Sequence, residues 1–135
     1  MFKAMGRWFR RRKSVPDLDP NRKDLVVVAE NFDVAASPSA VLERAEAWRR
    51  TEVALIQHVM VLSQSAVDEV AAIVSIDGYA LSRSAEGLPP EAVVFQRVQV
   101  VSGLSCAQEN SRMASVASRC GGDVLGWRVL QPMAT

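Results

Sequence analysis

One histidine, two cysteines and a run of N-terminal cations are the residues of this 135-residue chain whose chemistry could amount to a function. His58 lies in the apolar run VALIQHVMVL. An unperturbed imidazole titrates near neutrality, which suits a general base. No carboxylate close in sequence orients it, however, and no Ser or Cys nucleophile is identifiable beside it. The plainer reading is a structural or pocket-edge histidine, with Phe95 and Arg97 as the other candidates to line a sheet pocket. Cys106 falls near the start of a helix, where a thiol pKa is lowered, but a cysteine in a packed helix is ordinarily inert. If Cys106 and Cys120 share that helix, they lie about 21 Å apart. A disulfide needs Cα atoms within roughly 7 Å, so both read as reduced thiols of a cytoplasmic protein. With a single His and no CxxC, no metal site or cofactor is implied. Glu109 and Arg112, three apart, form a solvated pair in this reading. Gly121-Gly122 follows a helix and precedes a strand, which makes it a helix cap rather than a phosphate loop.

The N-terminal segment carries the sharpest signal. Residues 1–13 contain Lys3, Arg7, Arg10, Arg11, Arg12 and Lys13 and no acid, a charge of +6. The whole chain is only +1, so the remainder is −5. Phe2, Ala4, Met5, Trp8 and Phe9 fall on one arc at helical spacing, with Lys3, Arg7, Arg10 and Arg11 opposite. Arg12 interrupts the apolar face, and a helix this short is marginal alone in water. Such a segment can dock on an anionic membrane or an acidic partner, with Trp8 and Phe9 buried in the interface. Its cations could instead release counterions from nucleic acid, or merely solubilise the chain. The aromatic pair favours the interface. No apolar run reaches the roughly 20 residues of a membrane span, and SVPDLDP stands where a secretory signal would place its apolar region.

The elements that position these residues follow from pattern. Pro16 and Pro20 make residues 14–24 a linker. LVVVA (25–29) is a strand candidate. Ser37-Pro38 opens a helix expected to run to about residue 50. Residues 53–62 read as a buried strand, although continuity with the preceding helix leaves a long helix open. A helix follows over 65–76, with Asp68 and Glu69 in its first turn and Gly78 as its stop. Strands are expected over 79–84 and 92–102, a helix over 105–120 and a last strand over 123–131. On strand 92–102, Val94, Gln96, Val98 and Val100 share one face. The order from residue 53 on is βαββαβ. It predicts an α+β, ferredoxin-like antiparallel sheet with two helices on one face, within a single domain over 25–135. The other face needs a cover: the 37–50 helix, a second subunit or a ligand.

Three local sequences in this frame bear a family likeness: IQHV (Ile56–Val59) before a helix, DGYAL (Asp77–Leu81) leaving it, and GGDVLGW (Gly121–Trp127) leading into the last strand. Over about residues 52–131 the chain resembles the ribonuclease E inhibitor family, the type B regulators. The resemblance implies a ferredoxin-like fold and a regulator that binds a protein partner without catalysing. The family's acidic tail is absent here, since the sequence stops at Met133-Ala134-Thr135, and the basic N-terminal segment is extra. Both departures put the ribonuclease partner in question.

The expectation is therefore a non-enzymatic regulatory or adaptor domain that binds a protein, with residues 1–13 at an anionic membrane or partner surface and a homodimer through the sheet open to it. The alternatives are a nucleic-acid-binding protein that uses the basic arm, and a small enzyme built on a His58 pocket. RNA recognition on such a sheet wants exposed aromatics, and strand 92–102 offers only Phe95.

Overall fold

A computed structural model of the protein describes residues 17–82 and 87–134. The basic segment 1–13 lies outside the described residues. The elements run β1 (Leu25–Asn31), α1 (Pro38–Glu43), β2 (Val53–Val61), α2 (Gln64–Ser75), β3 (Ala80–Ser82), β4 (Ala92–Val100), α3 (Gly103–Arg119) and β5 (Asp123–Pro132). The architecture is α+β: one open five-stranded sheet in the order β1-β5-β2-β4-β3, antiparallel throughout.

Local chemistry explains most boundaries. Residues 53–61 form a strand, not a helix, because seven of nine are buried and β-branched or large apolar side chains fill the middle of the sheet. Ser63 caps α2 by accepting from the Ala66 backbone, so the helix begins at Gln64, one residue before the expected start. Asp68 and Glu69 consequently sit past the first turn, and no acid occupies it. Ser102 and Ser105 close a reciprocal capping box on α3, each hydroxyl taking the other's backbone N–H at 3.0 Å. Gly78 and Gly121, at φ +87° and +81°, end α2 and α3 in the left-handed conformation.

Two expectations are corrected. The helix opened by Ser37 and Pro38 ends at Glu43, capped at Arg44, and residues 44–52 turn back towards β2. Gln131 stabilises that return. Its buried amide accepts from the Arg49 backbone at 2.9 Å and donates to the carbonyls of Arg49 and Glu52. Trp48 is buried in the core from this turn rather than from a helix. In addition α1 does not cover the far face of the sheet. Leu42 joins the same core as α2 and α3, and α1 packs on α3 and β1.

The core lies between the helices and one sheet face. Ile56, Met60, Phe95, Trp127 and Val129 meet Val70, Val74, Met113, Val116 and Ala117. On the opposite face Val59, Ala92 and Val94 form a small second cluster under Leu88 and Leu125. β1 pairs with β5 as an edge strand, with a bulge between Val27 and Ala29. A Cβ on Gly126 would lie 2.4 Å from the Asn31 carbonyl oxygen and from the Phe32 ring, so the end of β1 rests directly on that glycine.

Candidate functional site

The central strands carry polar residues on both faces, and they form two separate arrangements. On the helix face His58, in the middle of β2, stands opposite Phe95 on β4 and Trp127 on β5. It has no solvent exposure. Its Nε2 lies 3.2 Å from the Tyr79 hydroxyl. That hydroxyl donates to Glu109 Oε1. The other Glu109 oxygen accepts from Arg97 Nη2 at 2.7 Å and Gln99 Nε2 at 3.1 Å. Arg97 also donates to the Asp77 carbonyl at 2.7 Å and lies 4.6 Å over the Tyr79 ring.

The proton direction in this chain is fixed by its end. Glu109 only accepts, so Tyr79 gives its proton there and keeps its oxygen as an acceptor. We assign the Nε2–H tautomer to His58, which leaves Nδ1 as a buried acceptor with no hydrogen-bond partner among the described residues. Burial, reinforced by the positive charge of Arg97, pushes the imidazole pKa down to about 3. Burial first, and then Glu109, raises the Tyr79 phenol well above its usual value. The Cys106 thiol, close to both, is pushed up to about 12 by burial and by Glu109. It is a neutral, inert thiol, and the helix start does not activate it.

The pairing of Glu109 with Arg112 expected from spacing does not form. Glu109 turns inward to Tyr79 and Arg97, while Arg112 reaches Asp77 at 2.7 Å. His58, Phe95 and Arg97 do share one face, but Phe95 and His58 are sealed in the core. Arg97, Glu109, Asp77 and Arg112, with Tyr79 and Met113, border a solvent-open recess of about 330 Å³. Spacing missed Tyr79 and Glu109 as partners of His58, because β2, β3 and α3 must be assembled before the three meet. The one sequence signal was Arg97 on the same strand face as Phe95, a cation pointing inward that requires an acid.

The opposite sheet face carries two parallel rows that cross the strands. Val27, Leu130, Leu55 and Val98 are successive register neighbours and make an apolar row. Beside it Arg128, Gln57 and Gln96 make a polar row. Arg128 Nη2 donates to Gln57 Oε1 at 2.8 Å, and Gln57 Nε2 donates to Gln96 Oε1 at 2.9 Å. All of these row residues but Val98 line a groove of about 650 Å³ walled by Pro20–Lys23 at the β1 side and by Ser82 and Gly87 at the β3 side. Arg22, Lys23 and Arg128 are cations of its described lining, which contains no acid. Arg22 is paired with Asp24 at 2.6 Å.

No group of three or more His, Cys, Asp or Glu among the described residues is placed to hold a metal ion, and no described helix is long and apolar enough to cross a membrane. No protein-family model, curated protein or solved structure matches the chain.

Proposed function

We propose that this protein is a non-catalytic regulatory or adaptor domain that binds a protein partner. The observation that carries this reading is the closure of the His58–Tyr79–Glu109–Arg97 network. Its histidine is neutral and unexposed, its phenol and nearby thiol are held protonated, and both oxygens of its carboxylate are taken. Chemistry-bearing side chains arranged this way hold β2, β3, β4 and α3 together, and the carboxylates that reach the recess, Glu109 and Asp77, are each engaged by an arginine. The surface, by contrast, exposes Phe32, Val34, Val100 and Leu104, side chains suited to a protein contact.

The fold we infer is ferredoxin-like. Its support is the order β5-β2-β4-β3 with α2 and α3 packed on one face, β1 being an addition at the β5 edge. By resemblance the partner is an endoribonuclease of the ribonuclease E type. The direct test is titration of the full chain into a ribonuclease E cleavage assay. Concentration-dependent inhibition is expected. Undiminished cleavage at saturating protein removes the ribonuclease from the proposal.

The basic segment adds a second contact, an anionic membrane surface. Under this reading the full chain co-sediments with phosphatidylglycerol vesicles, and Trp8→Ala with Phe9→Ala abolishes it. Sedimentation unaffected by that pair ends the membrane reading. Neutralising Arg10, Arg11, Arg12 and Lys13 instead tests a nucleic-acid arm, through the salt dependence of RNA binding.

A further inference from the structure

A cleft opens where β1 leaves the sheet. β1 pairs with β5 only as far as Asn31 against Trp127, so the first residues of β5, Asp123–Gly126, have a strand neighbour on the β2 side alone among the described residues. The chain from Asn31 to Ala36 runs on towards α1, and between it and α3 lies a space of about 200 Å³ over Val124–Trp127. Phe32 and Val34 stand exposed at its rim, Val34 almost entirely. Ala36 and, on α3, Ala114 fill no more of it than a methyl each. Trp127 belongs to its lining, and the buried indole N–H of that residue has no acceptor among the described residues. A donor buried unpaired keeps its desolvation cost until an acceptor reaches it. The charge of the described lining is that of Asp33 alone, with no base beside it. The loop wall is set before anything binds: Asn31 Oδ1 accepts from the Asp33 backbone and Asp33 Oδ1 from the Ala35 backbone, both at 2.9 Å.

We propose that this cleft receives one aromatic side chain of the protein partner, carried beside a cationic residue on an extended segment. The inference rests on the adaptor reading and names the chemistry of its partner. Size favours a single anchor over a cofactor or metabolite, whose pockets run to roughly 300–1,000 Å³. A ring laid against Phe32, Val34 and Ala114 is the kind of buried anchor that dominates protein interfaces. The neighbouring cation meets Asp33, on a body whose charge beyond residue 13 is −5. The backbone of the segment lies along the bare edge of β5, and one of its carbonyls is the acceptor that the Trp127 indole lacks.

The test titrates acetyl-Lys-Trp-Lys-amide into the isotope-labelled full chain and reads it by NMR. Saturable shifts are expected at the Trp127 indole N–H and at the methyls of Val34, Ala114 and Val124, with the core methyls of Val70 and Val74 unmoved. The Lys-Ala-Lys analogue should leave the cleft unmoved, and the Glu-Trp-Glu analogue should bind several-fold more weakly at low salt. Ala114→Leu fills the cleft from an exposed position of α3 and should abolish the shifts at an unchanged denaturation midpoint. Asp33→Asn keeps an acceptor for the Ala35 N–H and should weaken the peptide several-fold, a difference that salt erases. Should Ala114→Leu unfold, Asp33→Asn and the two analogues decide. An unmoved cleft, equal shifts from the Lys-Ala-Lys analogue, or undiminished binding by folded Ala114→Leu overturns the proposal. So do shifts centred on Val27, Leu55 and Leu130, which put the peptide on the other sheet face. The two readings fail separately: ribonuclease cleavage undiminished by the full chain removes that partner, whereas a cleft unmoved by the peptide removes this site and leaves the adaptor reading to the ribonuclease assay.

Discussion

At the scale of the residue, the His58 network converts the apparent reactivity of the sequence into pH-dependent stability. The imidazole has an ordinary pKa of 6.5 and one of about 3 when folded. Below pH 6.5 the unfolded chain takes up a proton that the folded chain refuses, so stability present above 6.5 is lost as pH falls towards 3. The slope is about 1.4 kcal/mol per pH unit for one such proton. Denaturant titrations at pH 4, 5, 6 and 7 should show His58→Gln with a shallower acid limb than the parent, and parallel limbs would refute the assignment. Tyr79 acts at the other end. Its raised pKa means that the unfolded phenol ionises first, and stability is lost as pH rises above 10. Glu109→Ala leaves Tyr79, Arg97 and Gln99 without their shared acceptor. It should cost about 2–3 kcal/mol by chemical denaturation, well above Asp77→Ala at the more exposed Arg112 pair.

How much of this was legible depends on range. His58 lies in a largely apolar run with no carboxylate or nucleophile close in sequence, and that favoured a buried imidazole over a base. Its partners were hidden, because Tyr79 and Glu109 lie 21 and 51 positions away in sequence and meet it only through tertiary packing. Glu109 and Arg112 illustrate the converse error. Helical spacing permits their pairing, but an inward cation on the neighbouring strand offers Glu109 a better-desolvated partner.

At the scale of the element, caps and stops were readable and lengths were less so. Ser37, Pro38, Gly78 and Gly121 stand where their backbone preferences predict. The shortening of α1 was not readable. Residues 44–50 have helix-compatible composition, but their turn is imposed from a distance by the buried Gln131 amide. The pairing of β1 with β5 was equally invisible, since strand partners of such separation leave no local trace. That pairing has a point of weakness that can be tested. Gly126→Ala forces its new methyl against the Asn31 carbonyl oxygen, which cannot swing aside as a side chain would. It should cost about 1–3 kcal/mol, with amide exchange accelerating first in Ala29–Asn31. Uniform acceleration across β2 and β4 would show that β1 is not a separable addition.

At the scale of the molecule, the net charge of +1 describes neither of its parts. The body beyond residue 13 is acidic at −5, and the excess positive charge resides in residues 1–13. Vesicle binding should accordingly fall with salt in the full chain and vanish in the Trp8→Ala, Phe9→Ala variant, whose net charge is unchanged. A decline in proportion to charge alone would place the contact on electrostatics and not on the aromatic pair.

The two outer strands carry a final consequence. An unpaired strand edge is a template on which further copies can zip together into insoluble fibres. Here one edge, β3, has three residues among those described, and the other, β1, is broken by its bulge between Val27 and Ala29. Among the described residues neither offers a long flat ladder, although β1 is rich in valine. Deleting Val28 would straighten β1 and lengthen its uninterrupted ladder. The protein should then gain thioflavin-positive aggregates on concentration where the parent stays clear, and the irregularity in β1 would prove to be a safeguard of solubility rather than an imperfection of pairing.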